Sequence, residues 1–304
     1  MRDELIRLSQ VGVLLLSVLF IGYTLYQGWD TILRYASRLD AALFTLGMAV
    51  IPVQMLLKRF AWTRVMEHLG EDIGFYKAMS LISMFQVGSY IPGGIWHFIG
   101  ISYWGEREGL EKKKTFYGAA VNALINLAVG LTVFVVFGLT FFEKLGVLHY
   151  LVGSAAVIGL AVFLNAGIYF RTINFVLSVF DRDRMEQRMG TAALVETAGI
   201  HLVARVIEGA AVFLLVSAVH PLGIELLFPV IAMAAGAWAL GFLVFFMPSG
   251  AGVKEVSLIY LLGLVIPSSV AALIAVALRV VYVFWESVIA VGFVYLDRGN
   301  LRFK

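Results

Sequence analysis

Residues 192–219 read AALVETAGIHLVARVIEGAAVFLLVSAV, and this stretch decides the class of fold. Its residues are mostly apolar or small, yet four ionisable side chains lie among them: Glu196, His201, Arg205 and Glu208. A helix of about 20 apolar residues spans the hydrocarbon core of a bilayer, so the stretch is long enough to cross. The sequence therefore predicts a transmembrane helix that carries charged side chains into the bilayer.

Comparable apolar stretches recur along the whole chain. Hydrophobic residues make up 61% of the 304 positions and charged residues 14%, with a mean hydropathy of +0.91. A soluble domain of this length needs more charge to cover its surface, so the bilayer is the implied solvent. We predict an all-α fold, a polytopic transmembrane helix bundle that forms one integral membrane domain over residues 1–304. The other predicted spans are 11–26, 41–57, 116–142, 150–170, 227–246 and 270–295.

Two further apolar stretches are interrupted by proline and glycine. Residues 79–104 contain GSYIPGG at 88–94, and residues 253–266 follow MPSGAG at 247–252. Proline lacks a backbone donor and glycine lacks side-chain restraint, so neither stretch is predicted to be one straight helix. The two interruptions share the order aromatic, apolar, Pro, small, Gly and lie 156 positions apart, about half the chain. Transporters place broken segments in corresponding halves, although coincidence is an equal alternative here.

Broken helices in lipid leave backbone groups that need a partner. Such segments therefore line a cavity or lie buried among other helices, and a helix that restarts after the break suits a phosphate through its free N–H groups. A plain kink packed by its neighbours is the alternative. The predicted headgroup-binding residues at the two breaks are Pro92, Gly93, Gly94, His97, Pro248, Ser249, Gly250, Gly252, Lys254 and Glu255.

The distribution of Lys and Arg between the loops predicts the orientation. They are concentrated in 1–7, 58–77, 107–114, 171–188 and 298–304. The positive-inside rule makes these segments cytoplasmic and puts the amino terminus inside, in the cytoplasmic (inner) membrane. Both flanks of 79–104 are then on one side, which predicts a re-entrant hairpin, and 253–266 must cross. The result is about eight crossings plus the hairpin. Arg34 and Arg38 lie on the opposite side and fit this orientation less well, so seven crossings are the alternative.

Residue spacing in 192–219 places its ionisable side chains on one helix face. Thr197, His201, Arg205 and Glu208 are separated by four, four and three residues. A charge at the bilayer centre costs about 2.5–3.5 kcal/mol on insertion scales, so this face should lie inside the bundle with a partner. Arg205 and Glu208 could pair with each other and join the bundle, or Arg205 could bind a lipid phosphate.

The last predicted span repeats the pattern with Arg279, Tyr282 and Glu286. An ion pair between the two spans and a shared headgroup cavity both require these two faces to be close, so the sequence leaves both open. A third single-face series, Gly118, Asn122, Asn126 and Gly130, favours close helix packing with interhelical hydrogen bonds. Aromatic residues near predicted span ends, among them Trp62, are expected to be interfacial anchors.

Signals for catalysis or metal binding are poor. The chain has no Cys, which excludes disulfides and thiolate chemistry. It has no H-E-x-x-H pattern and no phosphate-binding Gly-Lys-Ser loop. The triplet Asp181-Arg182-Asp183 fits an ordinary solvated loop. We expect no metal and no cofactor, and a transporter rather than an enzyme.

Four motifs resemble one known family. They are RFAW at 59–62, SYIPGGIWH at 89–97, GFL at 241–243 and PSGAGVKE at 248–255, and Arg279 matches an arginine of the family's final helix. Their order, their spacing and the chain length resemble the lysylphosphatidylglycerol synthase transmembrane-region family, also called the flippase-like domain family. The resemblance covers essentially the whole chain.

The resemblance implies a domain that moves a phospholipid or lipid-linked headgroup across the membrane. Two departures matter: no soluble aminoacyl-transferase domain follows before Lys304, and Lys254 replaces a commoner arginine. The expected partner is a membrane lipid, and no nucleic acid. Two alternatives remain: a non-catalytic membrane partner of a separate lipid or glycan synthase, and a membrane-embedded transferase that acts on a lipid carrier.

Overall fold

The computed structural model describes most of the chain after residue 38 and a few residues before it. The described residues are 23, 26, 29–30, 33, 39–71, 73–86, 96–139, 147–179, 184, 189–244, 250 and 252–296. Within these ranges the chain is helical and contains no strand, which confirms the all-α prediction. Ten α-helices are named here in chain order: α1 (Ala41–His68), α2 (Phe75–Gln86), α3 (Trp96–Arg107), α4 (Lys112–Gly138), α5 (Val147–Phe163), α6 (Ala166–Val179), α7 (Thr191–Val219), α8 (Leu227–Leu243), α9 (Val253–Leu262) and α10 (Ser268–Leu296).

Five of the described helical segments are long and apolar enough to cross a membrane. They are α1, α4, α7, α10 and the segment Ile224–Leu243, which contains α8. Part of α5 and α6 adds a sixth if the two, bent by 83° at their junction, count as one span. The polytopic membrane bundle predicted from the sequence is therefore confirmed. The predicted span 11–26 lies largely outside the described residues.

Helix α9 is the exception among the predicted crossings. It has 10 residues, and at 1.5 Å per residue it is about 15 Å long, half the thickness of the hydrocarbon core. By itself α9 is too short to span, because the chain turns at Gly263 and α10 begins at Ser268. The count of eight crossings stays a prediction.

Small residues let the long helices approach closely. The most extensive contact joins α1 to α7, where a Cβ added at Gly47 would lie 2.9 Å from the Leu215 side chain. On the other side of α7, a Cβ at Gly209 would lie 2.5 Å from Cα of Ile231 in α8. Such contacts are typical of membrane helices, which associate through packing rather than through expulsion of water. Helix α7 is thus held between α1 and α8.

One end of the bundle carries a group of interhelical ion pairs. Lys77 of α2 contacts Glu108, just after α3, at 2.7 Å. Lys114 of α4 reaches Glu71, in the loop after α1, at 2.6 Å. The outer ends of α2 and α3 therefore lie together at this end, as a hairpin that returns to the side it entered would require. Its turn, residues 87–95, lies outside the described residues, so the re-entrant segment stays a prediction.

Candidate functional site: a buried charge cluster around a polar cavity

The carboxylate of Glu208, near the middle of α7, is the centre of a buried polar cluster. Its Oε2 accepts hydrogen bonds from Lys58 Nζ of α1 at 2.9 Å and from an Arg205 guanidinium nitrogen at 2.5 Å. Its Oε1 accepts a hydrogen bond from the Tyr282 hydroxyl of α10 at 2.6 Å. Glu208 is 4% exposed, so its charge is balanced by these donors rather than by water. One carboxylate thus joins α1, α7 and α10.

Arg205 is enclosed on every described side. It is 1% exposed, and its guanidinium carbon lies 3.5 Å from the centre of the Trp238 ring of α8. Its second terminal nitrogen donates to Asn126 Oδ1 of α4 at 2.8 Å. A desolvated cation over an aromatic face gains about 2 kcal/mol, and the bond to Glu208 adds to it. Arg205 is therefore a fixed part of the cluster, joined to α4 and α8.

The cluster lies half-way along the longest helices. Arg205 is the central residue of the 29-residue helix α7, and Tyr282 is the central residue of the 29-residue helix α10. Asn126 lies one residue from the centre of α4. If these helices cross the bilayer, the charges are close to its midplane, where transporters hold their substrates.

Helix α9 contributes a second carboxylate and a further cation, next to Arg279 of α10. Glu255 accepts a hydrogen bond from the backbone N–H of Gly252 at 2.7 Å and one from Arg279 of α10 at 3.2 Å. Lys254 Nζ lies 4.4 Å from the centre of the Tyr282 ring, so α9 touches the same tyrosine that holds Glu208. Gly252 has a φ of +83°, a left-handed conformation that glycine adopts without steric cost. The glycine turn thus places both charged residues against α10.

Two further polar side chains, Arg59 and His97, border the cluster on its α2 and α3 side. Arg59 of α1, 5% exposed, donates to Ser83 Oγ of α2 at 2.9 Å and to the Met55 carbonyl at 3.0 Å. His97 Nδ1 of α3 lies 3.0 Å from the Phe85 carbonyl. Helix α2 is therefore attached to α1 next to Lys58, and α3 is attached to α2.

A cavity of about 320 Å³ opens between these helices. Its charged lining consists of Lys58, Arg59, Lys254 and Arg279 together with Glu208, Glu255 and Glu286. Arg205 lies directly behind Glu208. Among the described residues, four cations and three carboxylates therefore line the cavity, and Arg205 behind the lining raises the number of cations to five. The volume lies at the lower end of small-molecule sites, and the excess of positive charge favours an anionic group.

The structure brings together most of the residues predicted from the sequence. Those that line the cavity are His97, Glu208, Gly250, Lys254, Glu255, Arg279 and Glu286. Arg205 and His201 stand behind this lining, since they bind the lining residues Asn126 and Asn122 respectively. Gly252 is adjacent through Glu255. The predicted residues Pro92, Gly93, Gly94, Pro248 and Ser249 lie outside the described part of the chain.

Some expectations are confirmed and others are corrected. Arg205 and Glu208 do form the ion pair that their spacing allowed, and Asn122 and Asn126 make interhelical hydrogen bonds. The link between α7 and α10 is the hydroxyl of Tyr282 rather than an ion pair, because Arg279 turns to Glu255 of α9.

The start of α9 also differs from expectation. It was expected to offer free N–H groups to a phosphate. Glu255 already satisfies the N–H of Gly252 and places a negative charge at this helix end. The cationic side chains around the cavity are therefore the better anion partners.

Lys58 is the main residue of the cavity that the sequence did not predict as part of the candidate site. The predicted span ended at residue 57, and Lys58 was counted with the cytoplasmic loop, but α1 continues to His68. The charge is tolerated inside the helix because Glu208 neutralises it. Trp62, expected at the interface, is 0% exposed and lines the cavity. The available signal was spacing, since Gln54, Lys58 and Trp62 follow one another at four-residue intervals on one face.

Comparison with protein-family models gives a match over most of the chain. The family model described as the lysylphosphatidylglycerol synthase TM region matches residues 10–290. A search of curated proteins gave no match. In the part of the chain that the structure describes, no group of three His, Asp or Glu side chains could hold a metal ion.

Proposed function

The chain belongs to the lysylphosphatidylglycerol synthase transmembrane-region family, a family of lipid-related membrane proteins, and on that premise we propose that it moves a lipid headgroup across the bilayer. The headgroup would enter the polar cavity while the acyl chains remain in the surrounding lipid. No energy source is needed for such facilitated movement, in which the cavity is exposed to the two leaflets in turn. The membrane concerned would be the cytoplasmic membrane, with the amino terminus inside.

One observation carries this proposal: the cation-rich cavity at the centre of apolar helices. Ionisable side chains at this depth are costly and mark substrate or ion pathways in membrane proteins. Glu208 joins α1, α7 and α10, and Arg279 of α10 and Lys254 of α9 face the same space. A cluster that served packing alone would balance its charges, whereas an excess of cations leaves electrostatic capacity for a phosphate.

The test is transbilayer movement of a labelled phospholipid in proteoliposomes. A membrane-impermeant reductant bleaches label in the outer leaflet, so lipid that moves outward is lost from the signal. We expect the reductant to bleach most of the label in vesicles that contain the wild-type protein. Vesicles with Arg279→Ala should lose only the outer-leaflet label, as protein-free vesicles do. Arg171→Ala is the matched control, because Arg171 is exposed on α6, away from the cavity lining.

Two results would overturn the proposal. The first is transport by Arg279→Ala at the wild-type rate, with the variant inserted to the same extent. The second is a wild-type protein that binds lipid but leaves the label in place; this would favour the role of a membrane partner for a separate lipid or glycan synthase. Conversion of the labelled lipid into a new species on addition of a donor would instead indicate a transferase.

A further inference from the structure

The three donors to Glu208 differ in their access to the cavity. The side chain of Lys58 is 20% exposed and lines the cavity, while the side chain of Arg205 is 0% exposed and lies behind it. Tyr282 lines the cavity but contributes no charge. Lys58 is therefore the one cation bound to Glu208, among the described residues, that a ligand in the cavity can reach directly.

Glu208 remains fully bonded when Lys58 is taken away. Arg205 holds Oε2 at 2.5 Å, and Tyr282 holds Oε1 at 2.6 Å. Arg205 also neutralises the carboxylate charge, so the departure of Lys58 leaves no uncompensated anion. The ammonium of Lys58, by contrast, needs another anion in its new position, because a lone cation in a low-dielectric site is unfavourable. Lys58 is bound to Glu208 but is not required by it.

The face of α1 that carries Lys58 offers two unused polar atoms. Gln54 and Trp62 lie one turn to either side of Lys58, both 0% exposed and both in the cavity lining. The Trp62 indole N–H and the Gln54 side-chain oxygen make no hydrogen bond within the described structure. Buried polar groups are nearly always bonded, so such atoms beside a cavity indicate a site for a polar ligand. The indole N–H is a donor and suits an anion.

We propose that Lys58 changes counter-ion during lipid entry, leaving Glu208 for the phosphate of the lipid, to which the Trp62 indole N–H also donates. This inference rests on the proposed function and assigns its anion-binding residue. Glu208 then stays paired with Arg205 and Tyr282. The exchange transfers no proton, and it forms and breaks no covalent bond. When the phosphate leaves, Glu208 recovers Lys58, so the empty cavity is never left with an unpaired charge at this position.

Exchange and a merely structural ion pair predict different binding behaviour. If Glu208 competes with phosphate for Lys58, Glu208→Gln removes the competitor and tightens binding, while Lys58→Met removes the receptor and weakens it. If the pair only supports the fold, both variants weaken binding or leave it unchanged. The sign of the effect of Glu208→Gln therefore decides between the two.

The experiment is a binding titration of purified protein in detergent micelles. Short-chain phosphatidylglycerol is the probe, a diacylglycerol of the same chain length is the control without phosphate, and inorganic phosphate is a third arm. Trp62 and Trp238 both line the cavity, so tryptophan fluorescence reports binding. We expect Lys58→Met to raise Kd about 10- to 100-fold, the loss of one bond between charged groups. Glu208→Gln should lower Kd several-fold.

Equal weakening by both variants, or wild-type affinity of Lys58→Met, overturns the inference. If Glu208→Gln does not fold, Tyr282→Phe replaces it. Without the Tyr282 hydroxyl, Glu208 loses a donor and holds Lys58 more strongly, so we expect weaker binding of the lipid. An unchanged Kd for the lipid would refute the exchange of counter-ions. Inorganic phosphate that binds as tightly as the lipid overturns the assignment to lipid. If the two variants change Kd in opposite directions but the protein moves no lipid in proteoliposomes, only the proposed function is rejected. If the protein moves lipid but both variants change Kd in the same direction, only this inference is rejected.

Discussion

Replacement of Arg205 by methionine tests whether the buried cluster holds the bundle together. Methionine is unbranched and apolar, so it fills most of the arginine stem without a charge. The change removes the ion pair to Glu208, the hydrogen bond to Asn126 and the contact with the Trp238 ring. Because Arg205 is 1% exposed, no water takes over these roles. We expect the helices α4, α7 and α8 to lose stability together.

The magnitude follows from the partners that remain. Removing one member of a buried pair costs about 3–5 kcal/mol, because the other charge is left without a partner. Here Lys58 and Tyr282 still bind Glu208, so the lower end, about 3 kcal/mol, is expected for the loss in unfolding free energy. The double variant Arg205→Met/Glu208→Gln should be more stable than the two separate losses predict, since the neutralised carboxylate no longer needs a cation.

The assay is unfolding of purified protein in mixed micelles by increasing fractions of a denaturing detergent, followed by helical circular dichroism. Arg171→Met, at an exposed position of α6, is the matched control and should stay within about 0.5 kcal/mol of wild type. An Arg205→Met protein that unfolds at the same midpoint as this control would refute the reasoning, because the cluster would then contribute nothing to stability.

The same unfolding assay checks three further predictions. Gly209→Ala should lose about 1–3 kcal/mol, because the new Cβ would lie 2.5 Å from the Ile231 backbone; a wild-type midpoint would mean that α7 and α8 separate freely. Gly252→Ala should lose about 1–2 kcal/mol through its φ of +83°, and no loss would contradict that turn. Glu196→Gln should lose at most about 1 kcal/mol, since its ion pair with Arg64 is partly exposed; a larger loss would show that this pair is buried by lipid headgroups.

The long spans and the local charge pair could be predicted because both depend on spacing along one helix. Arg205 and Glu208 are three residues apart, so an ion pair was available before any tertiary structure was considered. The cap at α9 was equally local: Glu255 follows Gly252 by three residues, a spacing typical of carboxylates that bind the first free N–H of a helix.

Contacts between distant segments could not be predicted from periodicity. Lys58 and Glu208 are 150 positions apart, and a lysine at the end of an apolar run predicts a membrane boundary unless its partner is known. The Trp238 ring that covers Arg205 belongs to a helix whose apolar sequence gives no sign of a cation. In both cases the tertiary partner decides whether a residue is on the surface or in the core.

The central position of Arg205 bears on the direction of the transport that we propose. Fourteen residues of α7 extend on either side of it, about 21 Å in each direction along the helix axis. A headgroup that pauses at the level of Arg205 would cross the hydrocarbon core in two steps of similar length, each shorter than an uninterrupted crossing. A binding site equidistant from both leaflets favours neither of them. Net movement would therefore run from the leaflet that is richer in the lipid to the other leaflet.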